Sequence, residues 1–203
     1  MRRIAFIAAM EFELQALKRR RQVQDWVCEA NGPGFVLARA AAERALARGP
    51  LAAMVSMGVC GALAGDLRAG DIVVDTDERE LQCSMAHRRG RVVSQDRVAV
   101  SAEEKQRLAR DGVVVEMEAA AVREVAARNG IPFYAVKAVS DTAGETLPLD
   151  FNAYRDGDGR FSTGRIGLAA LRRPWVIPEL MHMRRQASFA AEKLGEFLVQ
   201  CEF

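Results

Sequence analysis

The sequence has few of the residues that mark metal sites and disulfide-stapled folds. It contains two histidines and four cysteines in 203 residues, and no two cysteines form a CxxC pair. Structural zinc sites are built mainly from cysteine and histidine at short spacings. We therefore expect no metal and no cofactor. We also expect the thiols to stay reduced, as in a cytoplasmic protein.

Long apolar runs and a strong charge imbalance are also lacking. No apolar stretch approaches the ~18 residues that mark a membrane-spanning helix. Glu11 interrupts the run Ile4–Met10 before it is long enough for a signal peptide. The formal net charge is only +2, which does not indicate a nucleic-acid footprint. These absences predict a cytoplasmic protein with no membrane span and no nucleic-acid partner.

What is present is an alternation of apolar runs and helical segments. Half of the residues are hydrophobic, and no internal repeat or linker divides the chain. This length suits one domain with its own core, so residues 1–203 are interpreted as a single domain. The alternation predicts an α/β, three-layer fold with a central, largely parallel, twisted sheet.

The most informative stretch begins with the apolar run Val113–Val115. Glu116 and Glu118 follow two residues apart, a spacing that puts both carboxylates on one face of a strand. An alanine-rich helix is predicted from about Ala119 to Arg128. Asn129-Gly130 then supplies a left-handed C-cap.

A second apolar run, Phe133–Val139, is predicted to be a buried parallel strand that delivers Ser140 and Asp141 at its carboxyl end. Together the two runs and the helix predict a β-α-β unit with acidic groups at two strand ends. That is the usual place for a ligand in an open α/β sheet. The same acids could instead cap helices or face solvent, so the pattern alone leaves both interpretations open.

Two further junctions carry candidate residues. A strand over Arg3–Ala9 runs into a helix, which places Glu11 and Glu13 in the first helical turn, where the helix dipole also favours acids. The loop Asn31–Gly34 precedes a helix predicted over Val36–Ala47. Its glycines either expose backbone N–H groups to a ligand or form a tight turn.

The remaining segments complete the alternation. Gln22–Ala30 has weak strand character, and Leu51–Met57 is a predicted strand that leads into a glycine-rich turn, Gly58–Leu63. Helices are predicted over Arg165–Arg172 and about Glu179–Gln200, near the end of the chain.

The residues of these segments are more specific than their pattern. The motifs VEMEAAAV and PFYAVKAVSD, with AAMEFEL, VSMGVCGAL and AGDIVV, resemble the nucleoside phosphorylase/nucleosidase superfamily. The similarity is greatest to its methylthioadenosine/S-adenosylhomocysteine nucleosidase branch and covers about Arg3 to Phe197. The resemblance implies an enzyme, a nucleosidase or nucleoside phosphorylase, that cleaves the N-glycosidic bond of an adenosyl-type purine nucleoside. It also implies a homo-oligomer.

The resemblance implies a role for each matching residue. Asp141 would protonate purine N7, Glu13 would activate the attacking water, and Glu118 would accept hydrogen bonds from ribose hydroxyls. Asp141 must then be protonated near neutral pH, a form that burial near other carboxylates would favour. The other predicted substrate contacts pack on the sugar, hold Asp141 or bring backbone close to the ligand: Met117, Glu116, Ser140, Gly32, Gly34, Gly58, Gly61 and Val98. Glu116 is the first glutamate of VEME, whereas the resemblance gives the ribose contact to the second, Glu118.

The attacking nucleophile stays open between water and phosphate. Relatives commonly have serine or threonine at the position of Val59, and valine cannot donate a hydrogen bond. The first strand also ends without the arginine motif of many phosphorylases. Hydrolysis is therefore favoured over phosphorolysis, which would need inorganic phosphate as co-substrate, cradled by the glycine loops and Arg39. A non-catalytic nucleoside-binding protein is the third alternative.

The C-terminal part resembles one subgroup in particular. SDTAGETLP, DGDGR and LRRPWVIPEL are similar to the hopanoid-associated phosphorylase, also described as an adenosylhopane nucleosidase. This resemblance implies a lipid on the 5′ carbon of the ribose. The pairs Arg172-Arg173 and Arg184-Arg185 flank Trp175–Ile177. They are interpreted either as a solvated helix face or as a contact with a membrane surface or lipid substrate.

Overall fold

A computed structural model describes residues 3–20, 26–77 and 81–203. The strands are β1 (Arg3–Ala8), β2 (Trp26–Ala30), β3 (Leu51–Ala62), β4 (Ile72–Asp75), β5 (Gln82–Cys83), β6 (Arg88–Arg89), β7 (Val92–Ser94), β8 (Val114–Glu116), β9 (Phe133–Asp141) and β10 (Cys201–Glu202). The helices are α1 (Glu11–Lys18), α2 (Phe35–Ala47), α3 (Ala102–Leu108), α4 (Ala119–Arg128), α5 (Thr163–Arg172) and α6 (Ile177–Leu198). The weak strand predicted at Gln22–Ala30 corresponds to β2, and residues 22–25 of that prediction lie outside the described residues.

The central sheet is built around β3. Its strands follow the order β2-β1-β3-β9-β4-β6, and β8 and β7 extend it from the far end of β3. The pairs β1–β2, β1–β3, β3–β9, β4–β6 and β7–β8 are parallel, whereas β3–β8 and β4–β9 are antiparallel. The predicted α/β fold with a largely parallel central sheet is confirmed.

Helices cover both faces of the sheet. On one face α2 packs on α4, and on the other α1 packs on α6. The side chains that α2 buries are Ala38, Ala41, Ala42 and Ala45, spaced three and four residues apart on one helical face. Small side chains at this spacing let the helix lie close to the sheet and to α4. No helix in the described ranges is long and apolar enough to cross a membrane.

The glycine-rich segment Gly58–Ala62 differs from the sequence prediction. It is not a turn after a short strand but the second half of β3, which runs unbroken to Ala62. The segment stays extended because β9 pairs along one side of it, while β8 pairs with Gly61 and Ala62 on the other. β3 therefore reaches the edge of the sheet where the candidate site lies.

The predicted parallel β-α-β unit is also wrong in one respect. β8 runs antiparallel to β3, and β3 runs parallel to β9, so the strands on either side of α4 point in opposite directions. The two strands are not neighbours, because β3 lies between them. Val115 and Asp141 both pair with Gly61, one from each side. The acids at the two strand ends still converge, around the end of β3.

Candidate active site

A cavity of about 390 Å³ lies at the carboxyl ends of β1, β3 and β9. Helices α5 and α6 close its other side. Its wall is largely apolar and includes Phe12, Met117, Phe151, Phe161, Ile166 and Met183. Among the described residues that line it, four carry carboxyl groups: Glu13, Glu116, Glu118 and Asp141. An apolar cavity with a few convergent polar groups is the usual form of a small-molecule site.

Asp141 is held by two side-chain contacts at the end of β9. Its Oδ2 atom lies 2.5 Å from Lys105 Nζ, and its Oδ1 atom accepts a hydrogen bond of 2.7 Å from the Ser140 hydroxyl. Ser140 Oγ also lies 3.1 Å from the carbonyl oxygen of Cys60 in β3. The predicted neighbour of Asp141, Ser140, therefore contacts it and links it to the central strand.

Lys105 was missed by the sequence reasoning. It lies on α3 and is fully buried, and Nζ also donates to the carbonyl oxygens of Thr142 and Glu145 at 2.8 and 3.0 Å. The expectation that other carboxylates would surround Asp141 is thus incomplete, because the group in direct contact is an ammonium. Lys105 sits in the polar segment EEKQR, and nothing local distinguishes it from a solvated lysine.

Glu13 is fixed by two backbone N–H groups from different elements. Its Oε2 atom accepts from Met10 N–H at 2.8 Å, and its Oε1 atom accepts from Val59 N–H at 2.9 Å. The side chain is buried at the start of α1. Burial raises the pKa of Glu13 above its usual value, although both backbone N–H groups and the charge of Lys137 oppose the rise. A raised pKa makes this carboxylate a stronger base than an ordinary glutamate.

Two glycines of β3 make room for these acids. A Cβ atom at Gly58 would lie 2.8 Å from Glu13 Oε1, and one at Gly61 would lie 2.9 Å from Asp141 Oδ2. Gly58 also has a φ of +152°, which side-chain-bearing residues rarely adopt. In the sequence these glycines were interpreted as bringing backbone close to a ligand. In the structure they bring β3 close to the protein's own carboxyl groups.

Glu116 is engaged with the protein. Its Oε2 atom lies 2.7 Å from the Nζ atom of the fully buried Lys137, and its carboxylate accepts from the N–H groups of Glu118 and Ala119 and from the Ser94 hydroxyl. Burial alone would raise the pKa of Glu116, but the charge of Lys137, together with the hydrogen bonds from Lys137, Ser94 and the Glu118 N–H, outweighs it and holds the pKa below its usual value. Glu116 is therefore a charged anchor between β8, β9 and the start of α4. Lys137 was also missed, although a single lysine inside the apolar run FYAVKAV is a visible anomaly.

Glu118 has a strongly perturbed carboxyl group on the cavity wall. Oε1 accepts from Gly34 N–H at 3.1 Å, and Oε2 accepts from Met117 N–H at 3.3 Å. Burial, with the negative charge of Glu116, raises the pKa of Glu118 to about 8. A perturbed group in a cleft is typical of functional sites.

This raised pKa predicts a pH-dependent stability. The ordinary pKa of 4.5 applies to the unfolded chain and about 8 to the folded one. Between these values the unfolded state holds fewer protons, so stability falls as pH rises. In Glu118→Gln this contribution is absent. As pH rises across this window, we expect the unfolding free energy of the variant to increase relative to that of wild type, by at most about 1.4 kcal/mol per pH unit. Urea unfolding at a series of pH values measures the difference. A difference that is independent of pH would contradict the assignment.

The other predicted residues divide into two groups. Met117, Ser140, Gly61 and Val98 line the cavity with the acids, whereas Gly32, Gly34 and Gly58 do not. The N–H of Gly32 donates to the carbonyl of Ala9, and that of Gly34 donates to Glu118. Both backbone groups of Val98 bond to the side chain of Asn152. Its amide and carbonyl are thus engaged within the protein.

Comparison with known proteins agrees with this architecture. The sequence profile of the phosphorylase superfamily matches residues 77–158. A search of curated protein sequences finds no match. The futalosine hydrolase of Helicobacter pylori is 17% identical with a TM-score of 0.70, and the alignment covers 98% of this chain and 96% of that one.

Two nucleosidase structures are similarly close. One is a putative 5′-methylthioadenosine/S-adenosylhomocysteine nucleosidase from Francisella philomiragia, which is 20% identical with a TM-score of 0.68, over 98% of this chain and 97% of that one. The other is an aspartate-to-asparagine mutant of the Helicobacter pylori nucleosidase with 5′-methylthioadenosine in its active site. It is 16% identical with a TM-score of 0.70, over 98% and 97% of the two chains.

The fold and the profile match define the class: the chain has the nucleoside phosphorylase/nucleosidase fold, with phosphorylase-superfamily sequence across residues 77–158. The resemblance inferred from the motifs is thereby confirmed. More particularly, the structures it matches include methylthioadenosine/S-adenosylhomocysteine nucleosidases and a futalosine hydrolase. The superfamily profile supports a nucleosidase or nucleoside phosphorylase, and the structures support its fold.

Proposed function

We propose that this protein hydrolyses the N-glycosidic bond of an adenosyl-type purine nucleoside. The observation that carries the proposal is the pair Glu13 and Asp141, held by separate contacts on the wall of one cavity, both against β3. Cleavage of the bond creates positive charge on the sugar and negative charge on the purine. A base at one end and a proton donor at the other meet both needs.

Asp141 is proposed to deliver the proton to purine N7. Lys105 supports this role, because its ammonium stabilises the carboxylate that remains once the proton has left. Because this ion pair exists before the reaction, the proton would move from Lys105 Nζ through Asp141 to N7, which leaves a neutral amine on Lys105 beside the Asp141 carboxylate. In the Helicobacter pylori nucleosidase, an aspartate-to-asparagine mutant holds 5′-methylthioadenosine in its active site. An intact nucleoside in such a mutant is the behaviour that we expect of Asp141→Asn.

Glu13 is proposed to orient the attacking water and take its proton. Its raised pKa makes it a stronger base than an ordinary glutamate, and its two backbone hydrogen bonds fix the direction of the carboxyl group. Glu118 is proposed to accept hydrogen bonds from the ribose hydroxyls, with Met117 packed against the sugar. Glu116 supports them through Lys137 and is not assigned a substrate contact.

The backbone and arginine groups that were predicted to hold phosphate already have partners within the protein. This favours water over phosphate as the nucleophile. The N–H groups of Gly32 and Gly34 already donate within the protein. Arg39 pairs with Glu124, and it does not line the cavity. Val59 uses its N–H for Glu13. An anion site built from these groups would need them to be released first, and Arg97, which does line the cavity, is paired with Glu104.

The 5′ substituent is proposed to be apolar. Phe151, Phe161, Ile166 and Met183 extend the cavity wall toward α5 and α6, where a polar amino acid such as homocysteine would lose hydration. With the subgroup resemblance, this supports a lipid-bearing nucleoside of the adenosylhopane type. We also expect a homo-oligomer, which light scattering tests.

The decisive experiment measures adenine release with and without inorganic phosphate. Hydrolysis predicts release in phosphate-free buffer and a free ribose derivative as product. Release only with phosphate, and a ribose 1-phosphate derivative, would establish phosphorolysis. Release in neither condition from any adenosyl nucleoside would leave a binding protein. A series of 5′-alkylthioadenosines of increasing chain length should show KM falling with each added methylene if the 5′ subsite is apolar.

A further inference from the structure

The segment formed by α5, the turn Pro174–Val176 and the first half of α6 exposes an unusual amount of apolar surface. We call this segment the α5–α6 surface. Eight large hydrophobic side chains are exposed in the described part of the chain. Five of them lie on this surface: Leu168, Leu171, Trp175, Ile177 and Met181. Leu171 and Trp175 are 74% and 70% exposed. Large apolar groups clustered on a surface usually mark an interaction site.

The apolar side chains follow helical spacing. Leu168 and Leu171 are three residues apart on α5, and Ile177 and Met181 are four apart on α6, so each pair shares a helical face. α5 has ten residues and buries none of its side chains fully. A helix this short gains little stability from its own hydrogen bonds in water. The apolar face of α5 is therefore available to a partner outside this chain.

The charge around these residues is mostly positive. Arg172, Arg173, Arg184 and Arg185 are exposed, and none of them forms an ion pair with any acid in the described ranges. Between Gly159 and Ala191 the sequence contains a single acidic residue, Glu179. The surface is therefore apolar with a cationic border.

A second cavity on this surface is lined by both apolar and cationic residues. It has a volume of about 280 Å³ and is lined by Tyr154, Arg165, Leu168, Ala169, Arg172 and Arg173. Arg172 and Arg173 thus border one groove with an exposed leucine, whereas the guanidinium of Arg165 donates to the carbonyl oxygens of Ala153 and Arg155. Planar guanidinium groups are well suited to phosphate oxygens.

We propose that the α5–α6 surface docks onto an anionic lipid bilayer, with Leu171, Trp175 and Ile177 at the boundary between headgroups and acyl chains. The arginines then contact headgroup phosphates. Tryptophan and leucine beside arginine are typical of helices that lie in a membrane interface. A second copy of the chain fits less well, because a two-fold contact through this patch would bring arginines of both copies together.

Docking would also orient the candidate active site. Ile166 of α5 and Met183 of α6 line the main cavity, so its apolar side lies next to the proposed contact. A nucleoside with an apolar 5′ group could then pass from the bilayer into the cavity. This last step rests on the proposed function, whereas the docking itself does not.

The test is sedimentation of the full chain with phosphatidylcholine vesicles that contain or lack phosphatidylglycerol, at low and high salt. We expect binding only to the anionic vesicles, weakened by salt. Each arginine near an anionic surface contributes about five-fold to binding. Arg172→Gln/Arg173→Gln should therefore bind roughly 25-fold more weakly. The matched control is Arg107→Gln/Arg110→Gln, which removes the same charge from exposed positions near the end of α3 and should bind like wild type.

Tryptophan emission tests the geometry separately. Anionic vesicles should shift the emission of wild type to the blue, and Trp175→Phe should show no shift, which leaves Trp26 as an internal control. Equal binding to neutral vesicles, equal loss in the control variant or no binding at all would overturn the proposal. So would a dimer seen by light scattering that dissociates in Leu171→Asp, since the patch would then be a subunit contact. These measurements need no substrate, so their failure leaves the proposed hydrolysis intact.

Discussion

Asp141→Asn should lower the rate of adenine release by about 10²–10⁴, because proton donation by a placed side chain is worth that much. Asparagine keeps the shape of the side chain, and its carbonyl oxygen can still accept from Lys105 or Ser140. It cannot transfer a proton to N7. The nucleoside should still bind, since the contacts proposed for the ribose are unchanged. Stopped-flow or steady-state adenine release, with Kd from calorimetry, measures both quantities.

A leaving group that needs no proton provides the control for this variant. A 4-nitrophenyl riboside departs as a stabilised anion, so Asp141→Asn should affect its cleavage far less than that of the purine nucleoside. Thermal unfolding must accompany the assay, because Lys105 is fully buried and the variant removes its counter-charge. Near-normal adenine release by a folded variant would show that Asp141 is not the donor. An equal loss on both substrates would point to a damaged site.

Glu13→Gln is expected to have an effect of the same order, about 10²–10⁴ on hydrolysis, because the amide cannot take a proton from water. The amide also carries one acceptor oxygen, where Glu13 accepts from both Met10 and Val59. One of these N–H groups would face an NH₂ group, at a cost of about 1–3 kcal/mol in stability. The variant should therefore be less stable as well as inactive. Activity and urea unfolding together measure the two effects.

The same helix offers a matched control. Glu11 lies two residues earlier, is largely exposed and pairs with Lys18 at 3.2 Å. Glu11→Gln makes the same chemical change and should alter neither activity nor stability appreciably. If Glu13→Gln kept full activity when phosphate was supplied, water would not be the nucleophile. The glycine loops at Gly32–Gly34 and Gly58–Gly61 would then need to be reassigned as an anion site.

The sequence predicted the parts of the site that depend on local pattern. The helix over Ala119–Arg128 and the left-handed Gly130 follow from an alanine-rich segment and its capping residues. The placement of Glu13 in the first turn of α1, of Glu118 just after β8 and of Asp141 at the end of β9 followed in the same way. Each of these features depends on a few neighbouring residues, which a sequence displays directly.

The parts that were missed depend on contacts between distant segments. Lys105 meets Asp141 from 36 positions away, and Lys137 meets Glu116 across β3. No local rule distinguishes a buried lysine on a polar helix from a solvated one. The direction of β8 was missed for the same reason, since it is set by pairing with β3. The glycines of β3 were assigned to a turn because their neighbours in space, two carboxyl groups, are not their neighbours in sequence.

The position of β3 between β1, β8 and β9 has a consequence for how the molecule opens. Amide protons of central strands exchange only when much of the domain unfolds, whereas poorly buried helices exchange through small local openings. Glu13 and Asp141 rest on β3, and α5 on the far side of the cavity buries no side chain fully. α5 can therefore separate briefly from the body of the protein while the two carboxyl groups keep their spacing. Opening of the cavity on the α5 side and the spacing of the two carboxyl groups would then be governed by different regions. Mutations that loosen α5 need not disturb the two carboxyl groups.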